Sequence, residues 1–403
     1  HGWEQDRWLL TGLDWSEWLP IVRDLQRRLD DGTIDRAVES LPSEYVAIDG
    51  ARLRADIRGR RDKLHEAARS FYEHLAAEVD VQATDAAESV HIQWLPNGQM
   101  LLETREAEAG DAAQPVFSRR FDPADTSEVR LYLRGGDDVV KVIGEPGSIV
   151  LRVIADGGTK LLDDSVAGDT LLYDPSGSTR VMPGPGTVVD RDPYELPPSD
   201  SGFLDVDVPP RDWGGRLLPI PKLSVDHDVG RLIGASLLYT DCGFRKHPWS
   251  SRHEMTGAFS TGALLPVVAY AGQFRLHNSA HLALADVSYT GIDILRYYGV
   301  GNDTSNDEDD SFYRVRNQQV NVAPGFAWNF FDEQLRLSVR SFLGYSALIE
   351  GDRFIDQEAP YGSGNFGHLG ARAKVVIDTR QSPWDAAGLA LPLGDSPAAG
   401  YPT

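Results

Sequence analysis

Along residues 1–85 apolar side chains recur every three to four positions, and from Glu88 onward they recur every second one. Trp15, Trp18, Leu19, Val22, Leu25 and Leu29 form the first stripe, which predicts an amphipathic helix with one buried face. Asp14 is placed to cap it and Gly32 to stop it. Ile34, Ala37, Val38 and Leu41 predict a short second helix, ended by Pro42. A third is expected from about Asp49 through Leu53, Ile57 and Leu64, and a fourth over Ala68, Phe71, Tyr72, Leu75 and Val79. Arg58, Arg60, Arg61 and Lys63 read as a solvated helix face rather than a phosphate site.

Residues 86–174 read as a small β-rich region. Val90, Ile92 and Trp94 alternate with polar residues, Asn97-Gly98 supplies a tight turn, and Met100 and Leu102 begin the return strand of a hairpin. Further strands are predicted around Val129, Leu131 and Leu133, around Val139, Val140 and Val142, and around Ile149, Leu151 and Val153. Their corners carry Gly135-Gly136-Asp137-Asp138 and Asp156-Gly157-Gly158. Gly-Gly-x-Asp corners resemble those of the calcium-binding nonapeptide β-roll, which makes Asp137 and Asp138 weak calcium candidates beside the plainer reading as turn residues. Residues 175–212, dense in Pro, Gly, Ser and Asp, read as a linker.

From residue 213 to residue 403 one theme repeats: long segments of strict alternation separated by turns. Val320, Val322, Pro324, Phe326, Trp328 and Phe330 alternate with Gln319, Asn321, Ala323, Gly325, Ala327 and Asn329. Leu335, Leu337, Val339, Ser341, Leu343 and Tyr345 alternate with Arg336, Ser338, Arg340, Phe342, Gly344 and Ser346. Leu369, Ala371, Ala373, Val375 and Ile377 alternate with His368, Gly370, Arg372, Lys374, Val376 and Asp378. Weaker examples lie near 232–241, 254–263, 265–276 and 280–290. In a bilayer a sheet survives only when its backbone groups are paired into a closed barrel, apolar outside and polar or small inside. Tyr239, Phe259, Trp328, Phe330 and Tyr345 suit interfacial girdles. The join at Phe331-Asp332-Glu333 reads as a short periplasmic turn, and 302–310 and 350–364 as long extracellular loops. A soluble β-sandwich also alternates. The strand lengths, and inward arginines without acids beside them in sequence, favour the barrel.

Composition narrows the picture. A net charge of -22 argues against a nucleic-acid partner. No apolar run is long enough for a transmembrane helix, and a mean hydropathy of -0.32 fits alternating strands as well as a soluble chain. Cys242 is the lone cysteine, so no internal disulfide or zinc pattern is expected. The chain starts at His1 and stops at Thr403 with a segment under way, and reads as a fragment of a longer protein.

The stretch Ile377-Asp378-Thr379-Arg380-Gln381-Ser382-Pro383-Trp384-Asp385-Ala386-Ala387-Gly388 resembles a strand-turn-strand signature of the BamA/TamA bacterial surface-antigen superfamily, carried here by Asp378, Arg380, Pro383 and Gly388. Tyr239 to Arg252, Tyr297 to Asn302, Phe312 to Arg316 and Pro360 to Phe366 are similar to the branch whose barrel follows a large upstream domain, such as a metallophosphoesterase. The resemblance implies an α+β N-terminal region followed by an antiparallel transmembrane β-barrel. This chain supplies about eight or nine of roughly sixteen strands. It implies location in the outer membrane, contact with its lipid and lipopolysaccharide, and insertion by the barrel assembly machinery. No POTRA repeat is found, so a client-folding or secretion role is not implied, and the Arg-Gly-Phe loop motif is absent, as expected of a chain that stops early.

No nucleophile elbow, zincin, Walker or dinucleotide motif occurs, so no catalytic residue and no cofactor is expected. Asp226-His227-Asp228 reads as a turn, and His247, His253, His277 and His281 as surface or lumenal residues. Three functions stay open: an outer-membrane barrel anchoring or serving another domain, a secreted calcium-dependent binding protein, and the remnant of a barrel-linked metallophosphoesterase whose catalytic domain lies upstream of His1.

Overall fold

A computed structural model describes residues 2–109, 113–194, 211–226, 230–301, 304, 307–331, 333–349, 351–361, 363–378 and 390–393. The chain forms two compact units divided between Tyr194 and Glu195.

The first unit opens with five helices, α1 (Gly2–Leu9), α2 (Trp15–Arg28), α3 (Asp31–Glu39), α4 (Ser43–Asp62) and α5 (Leu64–Ala76). Asp14 caps α2 as expected: Ser16 N–H donates to its carboxylate at 2.8 Å while its own N–H donates to Glu17 at 3.0 Å. Gly32 does not stop that helix. Leu29 does, and Asp30 at once caps α3 by accepting from Thr33 N at 2.6 Å, so Gly32 lies in the next helix's first turn. The third predicted helix begins earlier than its apolar stripe suggests, directly behind Pro42. Val79 belongs to a strand.

Among the described residues eleven strands follow: β1 (Glu78–Gln82), β2 (Glu88–Trp94), β3 (Met100–Glu106), β4 (Phe117–Phe121), β5 (Glu128–Tyr132), β6 (Asp138–Ile143), β7 (Val150–Ile154), β8 (Lys160–Asp163), β9 (Leu171–Tyr173), β10 (Arg180–Met182) and β11 (Val188–Asp190). The β2–β3 hairpin turns through Asn97 and Gly98 at φ 68° and 73°. From β5 the chain alternates between two sheets, one ordered β1-β5-β7-β9-β11 and the other β10-β8-β6-β2-β3-β4, so successive pairs of parallel strands stack as coils of a roll. Val129, Leu131, Leu151, Val153 and Leu172 from one sheet meet Val90, Ile92, Val140, Val142 and Leu162 from the other in a closed core. The sequence ends this region too soon, because Pro183 and Pro185 read as linker. They sit at a corner between β10 and β11, where Asp169 N donates to Pro185 O at 2.9 Å, and the roll runs on to Asp190.

Among the described residues the second unit is a nine-stranded antiparallel sheet in chain order: β12 (Gly215–Asp226), β13 (Gly230–Gly243), β14 (Lys246–Ser260), β15 (Pro266–Arg275), β16 (Leu282–Arg296), β17 (Arg314–Phe330), β18 (Leu335–Leu348), β19 (Phe366–Asp378) and β20 (Ala390–Leu393), with a short helix α6 (Phe354–Glu358) before β19. Among the described residues β12 and β20 are its edges. Pro219 and Pro221 hide β12 from a sequence reading, yet an edge strand tolerates them. Among the described residues no helix is long and apolar enough to cross a membrane. The segments 244–245, 276–281 and 331–334 join strands at one end of the sheet; at the other, 261–265 is short while 297–313 and 349–365 are long.

Candidate membrane-facing surface

Strand pairing carries the predicted alternation from one strand to the next, with register shifts only near Asp241–Gly243 and Thr290–Asp293. Val320 pairs with Tyr345 and Tyr345 with Gly367, while Gln319 pairs with Ser346 and Ser346 with Phe366. One face therefore collects Ile233, Leu237, Tyr239, Met255, Phe259, Val268, Val287, Val320, Val322, Trp328, Val339, Leu343, Tyr345 and Leu369, all exposed, up to 77% at Leu369. The opposite face carries Ser236, Thr256, Ser260, Arg275, Thr290, Asn329 and Ser346, all buried, with Ser260 at 0% and Asn329 at 4%. Burial is thus inverted for the large apolar side chains, while the buried face mixes these polar residues with Ala258, Val267, Leu282, Leu284 and Ala327. The aromatics divide by strand direction: Tyr239, Trp328 and Phe330 fall towards the short-turn end, Phe259 and Tyr345 towards the long-loop end.

Hydrogen bonds link side chains across the buried polar face. Ser236 and Thr256 share a hydrogen bond of 2.6 Å, Asn317 donates to Ser346 at 2.6 Å, and Arg336 donates to Asn329 at 2.7 Å. The acids that sequence reasoning failed to find arrive from other strands and turns. Glu333 holds Arg275 at 2.7 Å and Arg336 at 3.0 Å, and Asp286 on β16 pairs with Arg340 on β18. Nothing in local sequence signals that last pair, because β17 lies between its members. A Cβ on Gly325, which pairs directly with Arg340, would sit 2.5 Å from the arginine Cγ, so a glycine is needed where the side chain crosses. Near the short-turn end, Trp249 packs on Leu282, Leu284 and Ala327, with the Arg275 guanidinium 5.0 Å or less above its ring (4.9 Å).

In the roll, the two calcium candidates are both engaged. Asp137 accepts from Thr159 N at 2.8 Å. Asp138 accepts from Glu88 N at 2.9 Å and from the Lys160 ammonium at 2.5 Å, and that ammonium also donates to the carbonyls of Gly135 and Gly136 at 2.7 and 2.8 Å. Three oxygens thus meet the three N–H donors of one buried lysine, the kind of oxygen set that a hard cation would use. Burial pushes the Asp138 carboxyl above its usual range, against the pull of Lys160. A second buried polar group sits on the outward face of β1, β5 and β7, where Arg130 pairs with Glu78 at 2.7 Å and with Glu128, and Arg152 approaches Glu128 at 3.1 Å. Burial alone would raise the Glu128 carboxyl, but the two arginines hold it below the usual range.

Of the residues carrying the family resemblance, Asp378 ends β19, its N–H donating to Gln334 O at 2.8 Å; Arg380, Pro383 and Gly388 lie outside the described residues. Asp226 ends β12, and His227 and Asp228 likewise lie outside them. His253 lies on the apolar face, hydrogen-bonded to Tyr270 at 2.9 Å, and His281, in the turn before β16, has its ring 5.8 Å from that of Phe330. Among the described residues no three His, Cys, Asp or Glu side chains gather as a metal site. Comparison with protein-family models, curated proteins and solved structures finds no match to this chain.

Proposed function

We propose that residues 213–403 form part of the wall of an outer-membrane β-barrel of the BamA/TamA surface-antigen type, anchoring or serving another domain and not itself catalytic. The inverted burial carries this reading. A soluble sandwich buries its apolar face against a second sheet, whereas here the apolar face is the exposed one and the polar face is buried. The dimensions agree. From Val320 to Phe330, at ~3.3 Å per residue, the apolar run of β17 extends roughly 33 Å, or about 25 Å once a ~40° tilt is allowed, which is the height of a barrel's lipid-facing band. In this reading the short-turn end is periplasmic, the long loops are extracellular beside lipopolysaccharide, and the barrel assembly machinery inserts the chain.

Heat-modifiable migration on a gel after detergent extraction tests it. A water-soluble monomer that needs no detergent overturns it. The calcium-dependent alternative is not favoured, since Lys160 already supplies the cation at Asp138.

A further inference from the structure

Beyond the apolar band, the same face of the sheet turns basic. On β17 it runs from Phe326 through Val322 and Val320 to Gln318, Arg316 and Arg314, side chains two residues apart in one strand. On β16, Arg296 pairs directly with Arg314. The segment after β18 continues alongside β17: Ile349 N donates to Arg316 O at 2.9 Å, and Arg353 Nη1 reaches Arg314 O at 3.5 Å. An aromatic cluster holds that loop in place. Phe354 N donates to Phe312 O at 3.0 Å, and its ring lies within 5.8 Å of Tyr297, Phe312 and Tyr313.

Arg353 has its guanidinium pKa lowered by burial and then by the charges of Arg316 and Arg314, with only Asp356 opposing. Arg316 makes no ion pair among the described residues, and its buried Nε has no hydrogen-bond partner. Arg296 meets Asp310, itself largely exposed, at 3.5 Å. Guanidinium groups crowded together at the rim of an apolar surface suit a phosphate with an apolar tail: each offers a planar fork for bidentate hydrogen bonds, and the anion offsets their mutual repulsion.

We propose that Arg296, Arg314, Arg316 and Arg353 bind the phosphate of an anionic lipid headgroup at the long-loop rim, with the acyl chains lying along Val320, Val322 and Tyr289. The inference rests on the barrel reading above. The four residues from Arg316 to Val320 span roughly 13 Å at ~3.3 Å each, the step from headgroup to upper acyl chain. A free phosphate would use the arginines but gain nothing from the apolar strands below them.

The test places the full chain in phosphatidylcholine nanodiscs with and without phosphatidic acid, and counts retained lipids by native mass spectrometry. The wild type should retain phosphatidic acid over phosphatidylcholine by about tenfold, and R316Q/R353Q should lose that preference. Arg353→Gln alone, a loop substitution outside the strands, should lower it several-fold even where the double variant fails to fold. Entry into the discs without any preference overturns this inference and leaves the barrel reading standing; failure to enter overturns both. Displacement of the lipid by inorganic phosphate at equal concentration also overturns it, since the site would then recognise the anion alone.

Discussion

The Arg340 guanidinium crosses over Gly325 of the intervening strand to pair with Asp286, joining three strands on the buried polar face. Each member is partly exposed, so the pair is worth less than a fully buried one. In a double-mutant cycle with Arg340→Ala and Asp286→Ala, the coupling should be about 1 kcal/mol by unfolding in detergent. Strictly additive effects would remove the pair from the account. Gly325→Val should match the Arg340→Ala loss or exceed it, because the valine side chain occupies the crossing.

Neighbouring residues of one strand give the sharpest test of which face meets lipid. Val339→Arg places a cation near mid-band on the apolar face and should cost roughly 2–4 kcal/mol. Ser338→Glu, one residue away and paired with Lys374, should stay within about 1 kcal/mol. Equal costs at the two positions would refute the assignment of faces.

Lys160 should behave as a built-in cation. Lys160→Met strands the Asp138 carboxylate in the roll and should destabilise by roughly 3–5 kcal/mol, whereas pairing it with Asp138→Leu should restore most of the loss. In the wild type, neither calcium nor a chelator should move the melting temperature of the roll. A calcium-dependent rise of several degrees would return Asp137 and Asp138 to the list of metal ligands.

Acid should loosen the first unit through Glu128. Its folded pKa is lowered, so its stabilising contribution is complete above the ordinary carboxylate value near ~4.3 and is lost as pH falls through the folded value. Asp138, raised, has the opposite sign: its contribution is present below about 3.9 and is lost as pH rises through its folded value. Glu128→Gln should therefore flatten the acid limb of the stability profile, read from the fluorescence of the buried Trp94. An unchanged slope would mean that Arg130 and Arg152 are neutralised by other groups.

What the sequence disclosed follows from the range of each interaction. The β18 and β19 alternations, the Asn97-Gly98 hairpin and the Asp14 cap depend on residues a few positions apart, and each is present in the structure. Asp286 escaped notice because its partner Arg340 lies two strands away; Glu333 joins Arg275 from a distant strand end, although its other partner, Arg336, is only three residues on. The second sheet of the roll escaped because alternate strands of one apolar pattern separate into different sheets, a difference that no period in the sequence encodes. Proline misled twice for one reason: β12 and the corner at Pro183 and Pro185 use it where no ladder hydrogen bond is required.

The inverted burial of the sheet also reverses the usual rules for engineering this chain. For most proteins, replacing exposed Leu, Val and Phe by Lys or Glu improves solubility at little cost. Here the same exchange at Leu343 or Leu369 would remove the surface by which the molecule is proposed to be solvated, and yield would fall as the design became more hydrophilic. The positions open to polar redesign are the ones that look like a core.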